Sequence, residues 1–188
     1  TCIDMAGELM RCMYKANAGD SMSDTDEIML DTLTNVLIDN RSINRKMHIF
    51  VIEYGAEDRL YEGLPQGVYL DGALSYIKNT GIFKKDTDAI YIMITKADKV
   101  KEQSKEIFSN YINKNYLGFY NGLGQICKDN EINKGVVEKL AFSLGEVCFQ
   151  NYCRFNSRPA ENVVELILKR SASFRGGKRG MFEKIFRG

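Results

Sequence analysis

Two short apolar runs constrain this chain more than any other feature. Met47–Tyr54 (MHIFVIEY) and Ala89–Ile94 (AIYIMI) are both dense in β-branched and aromatic residues, the composition of buried strands. Between them, Tyr69–Asn79 places Leu70, Ala73, Leu74 and Ile77 at helical spacing, and Gly81 stands where a helix would be capped. Strand, helix, strand is the unit from which a mostly parallel sheet flanked by helices on both faces is built. Leu140–Leu144 is a shorter third strand candidate, and Thr1–Asp4 reads as the tail end of another.

The remaining segments fit this α/β frame. Helices are expected over Glu8–Ala18 and Asp24–Asp39, the second carrying Met29, Leu33, Val36 and Leu37 on one stripe. Another is expected over Lys99–Asn113, around Ile107, Tyr111 and Ile112. A last one starts near Ser157, with Pro159 in its first turn and Val163, Val164, Ile167 and Leu168 facing the sheet. Residues 115–135, with Gly118, Gly122 and Gly124, read as an irregular or partly helical insertion with turns at the glycines. Cys148–Phe155 reads as an edge strand or hairpin arm.

Composition narrows the class. The 188 residues are 44% hydrophobic and 27% charged with only 2 prolines, which excludes disorder and leaves one globular domain with a real core. The longest apolar run, Ala89–Ile94, is far short of the roughly 18 residues a membrane helix needs. Five cysteines at 2, 12, 127, 148 and 153, an odd number with no C-x-x-C pair, are expected to be reduced thiols of a cytoplasmic protein. The sequence opens without a signal peptide and without an initiator Met, so it is expected to be a fragment.

A net charge of +1 conceals an asymmetry: residues 169–188 carry seven basic residues against one acid, leaving the other 168 at −5. A mildly acidic body of this kind is not a nucleic-acid-binding surface. Residues 172–188 form a basic tail in which Phe174, Met181, Phe182, Ile185 and Phe186 are interspersed with glycines. Two readings stand for it: a solvated tail or linker, and a short basic amphipathic helix for an anionic membrane or a partner groove.

Ligands of open α/β sheets bind beyond the carboxyl ends of the strands, so short motifs at those ends carry the most weight. The run Ala89–Ile94 leads directly into Thr95-Lys96-Ala97-Asp98. A carboxylate at Asp98 can accept two parallel hydrogen bonds from the N1–H and N2–H of guanine, which adenine does not offer, while the alkyl stem of Lys96 can lie on the ring. The competing reading makes Asp98 the cap of the next helix. At the start, Asp4-Met5-Ala6-Gly7 has the form D-x-x-G. There an Asp can hold a water of a phosphate-bound Mg²⁺, and a Gly lets a backbone N–H approach a terminal phosphate; the competing reading is a plain turn. Ser143-Leu144-Gly145 ends the third strand candidate with a loop able to present backbone N–H groups to a base.

Taken in order and at strand ends, these three segments resemble the second half of the P-loop GTPases, over Thr1 to about Ser171. The resemblance implies a three-layer P-loop NTPase-like fold, here without its N-terminal strand and phosphate loop, and a guanine-nucleotide switch that binds GTP or GDP with Mg²⁺, hydrolyses GTP and engages a protein effector. It implies roles for Thr95, Lys96 and Asp98 at the base, Ser143 and Leu144 at the outer edge of the base, Asp4 at a Mg²⁺ water and Gly7 at the γ-phosphate. Glu8 falls where many relatives have the glutamine that orients the attacking water; a carboxylate lacks the amide donor and repels the phosphate, and a first-turn Glu on a helix dipole explains it equally well.

The phosphate-loop motif G-x-x-x-x-G-K-[ST] is absent, since the only Gly-Lys pair, Gly177-Lys178, lacks both the leading Gly and the closing Ser/Thr. Without that cradle the chain is expected to bind GTP poorly. The rival reading is a nucleotide-independent interaction or adaptor module on an α/β scaffold. The single histidine, His48, is expected to be structural, and zinc is not expected.

Overall fold

The computed structural model describes residues 7–38, 45–83, 86–100, 104–148 and 152–174. The chain divides into two compact units, Thr1–Ala141 and Phe142–Gly188. The first begins with helices α1 (Gly7–Ala18) and α2 (Asp24–Ile38), and Ser23 caps α2 by accepting from the Asp26 N–H at 3.2 Å. Strand β1 (Lys46–Glu53) follows, then a small hairpin of β2 (Leu60–Tyr61) and β3 (Leu64–Pro65). Glu62 and Gly63 at its tip both have positive φ, the geometry that matches a two-residue turn to the twist of its strands. Helix α3 (Gln66–Thr80) ends at Gly81, whose φ of 68° and N–H bond to the Ile77 carbonyl make it the expected cap.

Strand β4 (Thr87–Thr95) then enters the core, and Ile90, Ile92 and Ile94 are fully buried. A single 3₁₀ turn (Ala97–Lys99) separates it from α4 (Lys105–Asn115), α5 (Leu117–Asp129), a second 3₁₀ turn (Ile132–Gly135) and β5 (Glu138–Ala141). The sheet has the order β1-β4-β5 with both pairings parallel. This is the α/β architecture expected, a parallel sheet flanked by helices, and the central place of β4 accounts for its unbroken apolar sequence. The core joins Phe50 and Ile52 of β1 and the β4 isoleucines to Leu70, Ala73, Leu74 and Ile77 of α3, with Phe119, Leu123 and Ile126 of α5.

Several expectations need correction. Of the two readings of residues 115–135 the partly helical one holds, and Gly118, Gly122 and Gly124 lie inside the regular helix α5 rather than at turns. The glycines lower its intrinsic helix preference, yet a β-carbon at Gly122 would stand 2.2 Å from Leu74 Cδ2, so at least this one is small because α3 passes close by. Helix α4 begins at Lys105 rather than Lys99, because Ser104 provides the N-cap by accepting from the Ile107 N–H at 3.2 Å. Strand β5 covers 138–141 rather than 140–144, its register fixed by pairing Tyr91 with Glu138 and Ile94 with Ala141.

In the second unit, β6 (Gly145–Cys148) and β7 (Tyr152–Phe155) form an antiparallel hairpin, and α6 (Arg158–Phe174) follows with Pro159 in its first turn. Gly145 has a φ of 117°, and a β-carbon there would stand 1.9 Å from the Arg154 carbonyl oxygen, so the hairpin admits no side chain at that position. Val164 of α6 is 54% exposed, contrary to the expectation that it faces the sheet; Val163, Ile167 and Leu168 are the half-buried positions beside it. Among the described residues no helix is long and apolar enough to cross a membrane.

Candidate functional site

The carboxyl ends of β1 and β4 lie side by side, Glu53 in register with Thr95. Here β4 ends in Thr95 and delivers Lys96, Ala97 and Asp98 just beyond the sheet. Thr95 ties the two strand ends together: its Oγ1 donates to the Ile52 carbonyl at 3.3 Å, and its own carbonyl accepts from the Tyr54 N–H at 3.0 Å. The chain then reverses sharply. Lys96 has φ 54° and ψ 37°, a left-handed conformation that is uncommon for a side-chain-bearing residue and that clusters at functional sites.

Ala97 is buried and anchors the following 3₁₀ turn, in which Asp98 is half-buried. Asp98 makes no hydrogen bond or ion pair among the described residues, and it is Ser104, not Asp98, that caps α4. The competing structural role for this carboxylate is therefore taken by another residue.

Sequence reading did not single out Glu53, yet it is the hub of this end of the sheet. Its Oε1 lies 2.7 Å from Lys96 Nζ and 3.6 Å from Lys99 Nζ, and Arg59 embraces the carboxylate with both terminal nitrogens at 3.1 Å. The Lys96 ammonium, with help from Arg59, holds the Glu53 carboxyl below its ordinary range. The signal was present in the sequence as an acid closing an apolar strand, but register is needed to place it beside Thr95.

Behind this cluster the Tyr111 hydroxyl, from α4, accepts from the Gly55 N–H at 3.1 Å and donates to Glu57 Oε2 at 2.7 Å, with the Glu53 carbonyl also at 3.1 Å. Burial, reinforced by the Glu57 carboxylate, pushes its ionisation well above the ordinary tyrosine value. The loop after β1 is thus pinned to α4 as well as to the loop after β4.

Gly7 and Glu8 are the exposed first residues of α1. Asp4 lies outside the described residues, as does the tail beyond Phe174. Ser143 and Leu144 belong to the second unit, where the Leu144 carbonyl accepts from the Asn156 N–H at 2.9 Å. Among the described residues no group of three or more His, Cys, Asp or Glu side chains is arranged to hold a metal ion. Cys12 and Cys127 are buried free thiols, and burial pushes Cys127 up to about 11. His48 sits edge-on to Phe83 with ring centroids 4.7 Å apart, a packing role. No protein-family model, curated protein or solved structure matches the chain, so a functional reading depends on the placement of its own residues.

Proposed function

We propose that the loop Thr95–Asp98 recognises a guanine base and that the chain is a guanine-nucleotide-binding domain of the P-loop GTPase type. The observation that carries this reading is the carboxylate of Asp98, which makes no hydrogen bond or ion pair among the described residues, stands just past the central strand of a parallel sheet and is preceded by a left-handed Lys96. The carboxylate acceptor suits a purine with two adjacent N–H donors: Asp98 accepts from N1–H and N2–H, and the alkyl stem of Lys96 covers one face of the ring. In the same reading Gly7 approaches the γ-phosphate, and Asp4 holds a water of the magnesium ion. Bound Mg²⁺ would neutralise phosphate charge there. Glu8, exposed at the start of α1, has no amide with which to orient water, so hydrolysis on this plan is slow.

The sequence contains no G-x-x-x-x-G-K-[ST] cradle, and the backbone N–H groups and lysine of such a loop supply most of a nucleotide's binding energy. Binding by base contacts alone is therefore expected to be weak and selective. The test is titration of the 188-residue chain with GDP and ADP at millimolar concentration, followed by amide NMR. GDP should shift the resonances of residues 95–98 while ADP leaves them in place. Equal response to both, or none to either, overturns the reading in favour of an interaction module without a nucleotide.

A further inference from the structure

We infer that Glu53 is the positioning residue for base recognition, holding Lys96 in place for an incoming guanine; this rests on the reading of the Thr95–Asp98 loop given above. A lysine stem makes a good platform for a ring only if it is already still, because ordering a long flexible side chain at the moment of binding subtracts from affinity. Lys96 is fixed at both ends. Its backbone is set in the left-handed region between the buried Ala97 and Thr95, whose hydroxyl donates to β1. Its ammonium is held 2.7 Å from Glu53 Oε1 on that same neighbouring strand.

The Lys96 side chain nevertheless stays half exposed, at 50%, so the pair leaves the stem open to a ligand, while Glu53 is the more enclosed partner at 20%. Glu53 is itself fixed by the two-nitrogen grip of Arg59. Order thus passes from Arg59 through Glu53 to Lys96. Lys99, 3.6 Å from the same oxygen and 3.4 Å from the Tyr54 carbonyl, braces the far side of the turn that contains Asp98.

The experiment uses Glu53→Gln, which keeps size and one acceptor but removes the charge. Two readouts are compared with wild type: guanine-nucleotide affinity, and the rate at which Lys96 is acetylated by an N-hydroxysuccinimide ester, followed by mass spectrometry with exposed Lys78 as the internal reference. The expected result is acetylation of Lys96 at least about threefold faster, together with affinity for GDP about 2–5-fold weaker, the scale of one partly exposed ion pair. Arg59→Gln serves as the second variant. It breaks the same cluster without removing the Lys96 contact, and its effect on affinity should be the smaller.

Unchanged Lys96 acetylation or unchanged or tighter GDP binding in Glu53→Gln, or a larger loss of affinity in Arg59→Gln than in Glu53→Gln, each overturns the inference. If the wild-type chain binds no guanine nucleotide, the base-recognition reading fails on its own. The acetylation rate then still decides whether Glu53 orders Lys96.

Discussion

Gly72 on α3 meets Tyr14 on α1 so closely that a β-carbon at Gly72 would lie 2.4 Å from Tyr14 Cδ2 and 3.2 Å from its Cα. The second distance matters more, because a ring can swing aside and a backbone atom cannot. Gly72→Ala should therefore force the two helices apart. Overpacking of this kind costs about 1–3 kcal/mol, against roughly 1 kcal/mol regained from helix preference, so a net loss is expected. Gly124, inside α5 with open space where a β-carbon would go, supplies the contrast: Gly124→Ala should stabilise by up to about 1 kcal/mol. Urea denaturation of the two variants checks the pair, and a Gly72→Ala protein as stable as wild type would show that α1 and α3 are not held at this separation.

Tyr111→Phe should loosen the loop after β1. The change removes a hydroxyl that accepts from the Gly55 N–H and donates to Glu57, and leaves the ring in its place among Tyr54 and Tyr116. An amide left without its acceptor in a part-buried site costs about 1–2 kcal/mol. The local signature is faster hydrogen exchange at Gly55, with the amides of β4 unchanged. A variant that loses stability while Gly55 exchanges at the wild-type rate would place the effect in ring packing instead.

These two cases also mark where sequence reading succeeded and where it ran out. Strands β1 and β4 and helix α3 were legible because burial imposes period and composition on consecutive residues: the isoleucines of β4, and Leu70, Ala73, Leu74 and Ile77 on one face of α3. The regularity of α5 was only half legible, because the closeness of Leu74 to Gly122 is a relation between distant segments, and a glycine in isolation speaks for a turn. At the candidate site, Thr95, Lys96 and Asp98 were legible as a motif following a strand. The left-handed backbone of Lys96 was not, and its pairing with Glu53 depends on the register between β1 and β4, 43 residues apart.

The pH dependence of stability should carry the mark of His48. Burial holds its imidazole neutral, with a pKa lowered to about 4; the charge of Lys46 adds to this and Asp86 opposes it. Its Nε2 is buried without a hydrogen-bond partner among the described residues. The unfolded imidazole titrates near 6.5, so the unfolded state binds the extra proton first and stability falls as pH drops from about 6.5 toward 4. Between pH 7.5 and 5 the loss from this group is about 1–2 kcal/mol. His48→Phe, which keeps the contact with Phe83, should flatten that part of the profile. Glu53 acts in a lower window: its pKa is depressed, so its contribution is intact above the usual carboxylate value of about 4.3 and disappears only as pH falls through its lowered folded value. A profile equally steep in His48→Phe and wild type between pH 7.5 and 5 would assign the effect to other groups.

Asp98→Asn gives the sharpest test of base recognition because it exchanges an acceptor for a donor without changing shape. The carboxylate accepts from both N1–H and N2–H of guanine; an amide oxygen accepts only one, and its NH₂ group faces the other donor. Xanthine carries a carbonyl oxygen where guanine carries its exocyclic amine, so the amide can donate to that oxygen while its own oxygen accepts from N1–H. The variant should lose guanine affinity by about tenfold or more, the scale of one charge-assisted hydrogen bond, and prefer xanthosine diphosphate over GDP. Since Asp98 takes no part in capping α4, the fold should be unaffected, which thermal unfolding monitors independently. A preference that stays with GDP, in a variant that unfolds at the wild-type temperature, would place Asp98 outside the recognition site.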